Sequence, residues 1–185
     1  MKLRIFAILA LLSPVAFTLP VAAIETIDAP VNAETMLLSQ GSWHQHTSDR
    51  FTIEMPGQPM TNRNSQEVAE GLTLTFDEIT FENDSSAYGV IYTELPNDYL
   101  QDTDDQTVLD DMSALFLIAT QLEGLKELEE SIEFNGNPGR EYRINEEEVD
   151  LVLQLYLVQE RVYFLFAVSE QPNQVNQFVN SFNLL

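Results

Sequence analysis

Two neighbouring runs late in the chain, Leu151 to Val158 and Val162 to Val168, constrain the fold more than any other feature. In an extended strand successive side chains point to opposite faces. The first run puts Leu151, Leu153, Leu155 and Leu157 on one side and Val152, Tyr156 and Val158 on the other, with Gln154 its one polar residue. The second is apolar on both sides. Strands without a polar face belong in the middle of a sheet that has a layer packed on each side. Those layers must be helices above and below, or a helix and a folded-over arm.

The remaining elements agree with a sheet between two layers. Arg50 to Met55 alternates apolar and polar residues and is stopped by Pro56-Gly57. Leu72 to Phe76, continued by Ile79-Thr80-Phe81, repeats the alternation, and Ala87 to Leu95 is rich in β-branched and aromatic residues. Three strands are thus expected before a first helix at about Asp105 to Leu122. There Val108, Met112, Leu115, Ala119 and Leu122 recur at helical spacing, and Leu109, Phe116 and Ile118 widen the stripe. Asp102, Thr103, Asp104 and Asp105 supply capping oxygens at its start, and Gly124 is placed to turn the chain at its end. Lys126 to Phe134 reads as a strand, Asn135 to Gly139 as a turn, and Arg140 to Asn145 as the returning strand. Glu146-Glu147-Glu148 forms a charged bend, and Asn173 to Phe182 a last helix carrying Val175, Phe178, Val179 and Phe182. The fold class is α+β, a mainly antiparallel β-sheet flanked by helices as an αβα sandwich.

At the other end of the chain, residues 1–23 read as a signal peptide. Lys2 and Arg4 form its charged start, Ile5 to Leu12 its apolar run and Val21-Ala22-Ala23 its cleavage site. Pro14 and Pro20 break the apolar stretch, so no membrane-spanning segment is expected after cleavage. Residues 24–42 lack a sustained period and read as a linker or N-terminal arm, and residues 43–185 as the domain proper. Cleavage leaves 162 of the 185 residues, enough for one domain that buries roughly 70% of its unfolded surface. The chain has no Cys, which excludes disulfides, thiolate metal sites and a lipid-modified cysteine anchor.

Charge sets the partners. With Lys2 and Arg4 gone, six basic residues face 30 acidic ones, a formal charge of −24. Such a field repels phosphate backbones and anionic lipid, so the expected partner is a cationic protein face or a divalent cation and not nucleic acid.

Candidate chemistry is sparse. His44 and His46 would share one face of a strand, and Asp49 could complete a metal-ligating set with them, although two imidazoles are fewer ligands than a structural zinc needs. No cofactor beyond a divalent metal at that set is implied. Asp102 to Asp105 resembles the start of a calcium loop, but Thr107 and Ser113 stand where that loop requires Gly and Glu, so helix capping explains it better. No catalytic residue is assigned: no G-x-S-x-G elbow, H-E-x-x-H helix or Gly-rich phosphate loop occurs. A pair among the 30 carboxylates could still serve a secreted hydrolase. Tyr88, Tyr92, Tyr142, Tyr156 and Tyr163 are expected to line one sheet face together.

Taken in order, Trp43, Phe51 to Pro59, Tyr88 to Pro96, Gly136 to Glu141, Tyr156 to Tyr163 and Phe178 to Phe182 resemble the exported PsbP-like domains, over about residues 43 to 184. That family includes the extrinsic PsbP subunit of photosystem II and bacterial exported proteins of unknown role. The resemblance implies an αβα sandwich and a non-catalytic accessory role beside a membrane complex, in the periplasm, the thylakoid lumen or the extracellular space. One position departs from the pattern. Gln159-Glu160 stands where a Gly with Asn or Asp is usual, so a longer or different hairpin turn is expected there.

Overall fold

The computed structural model describes residues 43–146 and 149–185. The expected leader at 1–23, the arm at 24–42 and the Glu147-Glu148 part of the charged bend lie outside the described residues. Among the described residues ten strands are formed: β1 His44–Thr47, β2 Phe51–Met55, β3 Met60–Ala69, β4 Leu72–Asn83, β5 Ser86–Glu94, β6 Glu129–Phe134, β7 Asn137–Glu146, β8 Val149–Val158, β9 Arg161–Ser169 and β10 Asn183–Leu184. Three α-helices accompany them, α1 Asn97–Gln101, α2 Asp105–Ala119 and α3 Pro172–Ser181, with a 3-10 helix at Glu123–Leu128.

Seven strands form one antiparallel sheet in the order β3-β4-β5-β9-β8-β7-β6. The two doubly apolar runs, β8 and β9, lie inside it as expected. Val162, Phe164, Phe166 and Val168 join Leu151, Leu153, Leu155 and Leu157 in a core that includes Val108, Leu109, Met112 and Leu117 of α2. The alternate residues Tyr163, Leu165 and Ala167 join Val152 and Tyr156 in a second core with Val175 and Phe178 of α3. Each such side chain contributes about 1.5–3 kcal/mol when fully buried, so this pair of strands anchors both layers.

The second layer is only partly helical. Beside α3 lies a small sheet, β1-β2-β10, whose Phe51, Ile53 and Met55 are fully buried in the second core. Two strands were not expected. β3 carries Thr, Asn, Arg, Ser, Gln and Glu with almost no apolar alternation, and β10 has two residues, so neither offers a periodic signal. The segment from Lys126 divides as well, since 3-10 turns run to Leu128 before β6 begins.

Turns follow local chemistry with two exceptions. Asn135 (φ 51°) and Gly136 (φ 80°) form the two-residue β6–β7 turn with positive φ at both positions. Gln159 alone (φ 57°) is positive in the β8–β9 turn, which is also two residues long, so the turn differs in geometry and not in length. At the end of α2, Gln121 takes the left-handed position (φ 58°) expected of Gly124. Leu122 N–H donates to Leu117 C=O at 2.8 Å and Gln121 N–H to Ile118 C=O at 3.1 Å, the paired bonds of a Schellman cap. An L-residue there costs about 1–2 kcal/mol, partly offset because glycine loses about 0.5–1 kcal/mol more backbone entropy. Gln121→Gly is therefore expected to stabilise the fold by about 0.5–1 kcal/mol in urea unfolding, and a lower midpoint would contradict this account. The α2 stripe is also rotated from the expected one: Leu117 and Ser113 are buried, and Ile118 is 62% exposed.

Candidate functional site

Besides Glu78 on β4, which is buried and accepts from Asn62 Nδ2 at 3.3 Å and Asn64 Nδ2 at 2.5 Å, charged groups reach the interior at three places. Arg140 on β7, 6% exposed, is aimed at α2: its Nη2 donates to Gln106 Oε1 at 2.8 Å and to Asp110 Oδ1 at 3.2 Å. Its Nε lies 3.3 Å from Glu129 Oε1, and Glu129 also receives Lys126 Nζ at 2.5 Å and the Tyr142 hydroxyl. Burial acts to raise the Glu129 carboxyl. The hydrogen bonds from Lys126 and Tyr142 and the nearby cations outweigh it and hold the group below its ordinary value. This cluster fastens α2 and the 3-10 helix to β6 and β7.

On the α3 side, Gln154 Nε2 donates to Glu141 Oε2 at 2.6 Å and the Tyr156 hydroxyl donates to Gln154 Oε1 at 2.9 Å. Burial, with the Glu141 charge, pushes the Tyr156 phenol up to about 12. Arg143 lies 3.5 Å from Glu141 and 3.6 Å from Asp150, and its Nη1 donates to Asn176 Oδ1 of α3 at 3.2 Å. Asp150 is 1% exposed, and neither carboxylate oxygen has a hydrogen-bond partner. Burial raises its pKa, Arg143 opposes the shift, and Glu141 adds to it. At the third place, the Arg161 guanidinium lies 5.1 Å from the Tyr92 ring centre and 6.0 Å from that of Tyr163. It bonds Glu94, with Asp49 4.0 Å away.

Every Lys and Arg of the described residues is ion-paired within the fold, namely Arg50, Arg63, Lys126, Arg140, Arg143 and Arg161. The surplus charge on the surface is therefore negative, and it is densest around α1 and the start of α2. From Glu94 to Asp111 the chain carries seven carboxylates, Glu94, Asp98, Asp102, Asp104, Asp105, Asp110 and Asp111, with no Lys, Arg or His among them. All seven residues are exposed. Four have structural duties, Glu94 by accepting from the Arg161 guanidinium. Asp104 caps α2 by accepting from Gln106 N–H at 3.0 Å and Thr107 N–H at 3.2 Å. The Thr107 hydroxyl and these amides hold its carboxyl below the ordinary value. Asp110 faces Arg140, and Asp111 accepts from the Tyr99 hydroxyl at 2.8 Å. Asp98 in the first turn of α1, and Asp102 and Asp105 next to the start of α2, are left facing solvent near helix amide ends, where negative charge is favourable. Capping thus accounts for Asp104, as the sequence indicated.

The expected metal set is not gathered in one place. His44 and His46 share a face of β1 opposite Met55 and Ile53 of β2. Asp49 lies beyond the strand with its carboxylate 3.9 Å from Arg50 and 4.0 Å from Arg161. Among the described residues no group of three or more His, Asp or Glu is placed to hold a metal ion. Titration with zinc is accordingly expected to release the same heat from the protein and from its His44→Ala variant, and a lost heat in the variant would restore the metal reading. The tyrosines also divide: Tyr88, Tyr92, Tyr156 and Tyr163 pack on the α3 side, but Tyr142 has the opposite parity and packs under α2. Between α2 and the sheet, Phe76, Ile91, Leu115, Phe116 and Phe164 line a cavity of about 30 Å³. That is space on the scale of a few water molecules and falls well short of the roughly 300–1,000 Å³ of a small-molecule site.

Asp150 and Arg161 were missed because the two apolar runs were each started one residue too late: Asp150 has the parity of Val152 and Tyr156, and Arg161 that of Tyr163, so extending each alternation by one step places both inside. Arg140 lay within an expected strand, with the buried parity of Tyr142.

No protein-family profile matches the chain, and no curated protein sequence matches it. The fold is similar to that of cyanobacterial PsbP (CyanoP) from Synechocystis sp. PCC 6803, whose solution structure matches with a TM-score of 0.48 and 11% sequence identity. The match covers 80% of this chain and 96% of that one. No residue role is carried across at this distance. No helix of the described residues is long and apolar enough to cross a membrane.

Proposed function

We propose that this chain is an exported accessory protein that works by docking on a basic protein face, one belonging to a membrane complex, without making or breaking bonds. In this reading residues 1–23 are removed on export, residues 24–42 tether the domain that follows, and the compartment is periplasm, thylakoid lumen or the extracellular space. The observation that carries it is the row of seven exposed carboxylates between Glu94 and Asp111 on a protein whose described cations are all paired within the fold. A one-signed patch of this kind steers and orients a cationic partner and repels anionic ones.

The test spares the residues with structural duties. Asp98→Lys, Asp102→Lys and Asp105→Lys combined change the surface by six charges and leave Asp104, Asp110 and Asp111 in place. Cross-linking in cells should capture a partner with the wild type, and the triple variant should bind that partner at least about tenfold more weakly. Binding by the wild type should weaken as salt shortens the reach of the field. Recovery of the chain alone at physiological salt, or binding indifferent to the triple substitution, would sink the proposal.

A further inference from the structure

The outermost strand of the large sheet, β3, is paired only to β4, and on its other side no described strand lies against it. It runs for ten residues, Met60 to Ala69, mostly exposed and without Pro or Lys. Natural edges are usually shortened, bulged or charged to prevent strand addition. Here the register shift falls at Glu67–Ala69, so Met60 to Glu67 stays regular and open along its length.

We propose that this edge pairs with β3 of a second copy of the chain, antiparallel about Ser65. Two copies that continue one sheet with matching faces must pair residues whose numbers add to an even sum, because faces alternate with period two. Among those registers, centring on Arg63 brings Arg63 against itself, whereas centring on Ser65 sets Arg63 opposite Glu67 of the other copy, twice over. The same register sets Asn64 opposite Gln66 on the other face, again twice. Directly opposite charges stabilise an antiparallel pair and like charges oppose it. Arg63 is available for this contact: its side chain is 72% exposed and its guanidinium lies 3.5 Å from Asp77 of β4. Glu67 uses Oε1 to accept from Gly71 N–H at 3.1 Å, and this bond leaves Oε2 for Arg63 of the second copy. Asp77, Arg63 and Glu67 would then alternate in sign across the junction. Self-pairing is tested at Arg63 and Glu67 and docking at Asp98, Asp102 and Asp105, so the two proposals stand or fall on separate substitutions.

Sedimentation of the full chain over a range of concentrations tests the pairing, run at a salt level that screens the repulsion between two chains of formal charge −22. The wild type should show a concentration-dependent monomer–dimer equilibrium. Arg63→Glu and Glu67→Arg, each giving unaltered far-UV circular dichroism, should each weaken it by about tenfold, since two favourable pairs become two like-charge pairs. Mixed in equal amounts, the two variants should recover a dimer, because every opposed pair is again of opposite sign. A wild type that stays monomeric throughout overturns the inference, as do variants that dimerise like the wild type or a mixture that fails to associate.

Discussion

Phe51→Ala is expected to lower the unfolding free energy by about 3–5 kcal/mol, the range for deleting a buried phenyl ring and leaving its cavity. Phe51 is fully buried on β2, the central strand of the small sheet. Its ring centre lies 5.6 Å from Tyr92, 5.7 Å from Tyr163 and 5.4 Å from Phe182. Those rings belong to β5, to β9 and to the residue after α3, so one side chain joins the small sheet to the large sheet and the helix end. Single domains are stable by only about 5–15 kcal/mol, so the loss is a large share of the total. Urea unfolding followed by tryptophan fluorescence reports it well, because Trp43 packs edge-on against Tyr88 at 5.7 Å in the same core. A loss under about 1 kcal/mol would mean that the small sheet opens separately from the rest.

Asp150→Asn acts in the opposite direction, with an expected gain of about 1 kcal/mol at neutral pH, because a buried carboxylate without hydrogen bonds costs more than the neutral amide that replaces it. Asp150 is shut away at 1% exposure with neither oxygen hydrogen-bonded, and Arg143 at 3.6 Å compensates only in part. The amide removes the charge at nearly the same volume, and Arg143 keeps Glu141 and Asn176 as partners. The pH dependence follows from the direction of the shift. The folded-state pKa of Asp150 is raised, so the folded protein binds this proton more readily than the unfolded chain. Its contribution to stability is fully present below the ordinary carboxylate value and is lost as pH rises through the raised one. The advantage of Asp150→Asn should accordingly grow with pH across that window and level off above it. A stability difference flat from pH 4 to 8, or a destabilised variant, would contradict the unpaired-carboxylate account.

Much of the fold was legible because it depends on pattern. The double-sided apolar character of β8 and β9 placed them inside the sheet, Val175 and Phe178 placed α3, and Asp104 marked the start of α2. The edge strand β3 was illegible for a related reason: an exposed strand is held by backbone bonds to β4 and has no need of alternation in its side chains. Gln121 took the left-handed position at the end of α2 in place of Gly124 because the two cap bonds closed where packing stopped the helix. The expected site fared differently from the surface that now carries the proposal. His44 and His46 do share a strand face, but Asp49 is drawn to Arg50 and Arg161. The acidic excess was plain in composition, and its concentration from Glu94 to Asp111 could be read from the chain, yet its exposure could not.

The order of residues alone determined the class of fold and the sign of the surface, since burial periodicity and formal charge are properties of the chain itself. Which carboxylates pair with the six described cations, and which are left to face a partner, was decided only in three dimensions. Pairing depends on distances between residues as far apart in sequence as Glu94 and Arg161 or Gln106 and Arg140, and those distances exist only once the sheet has closed.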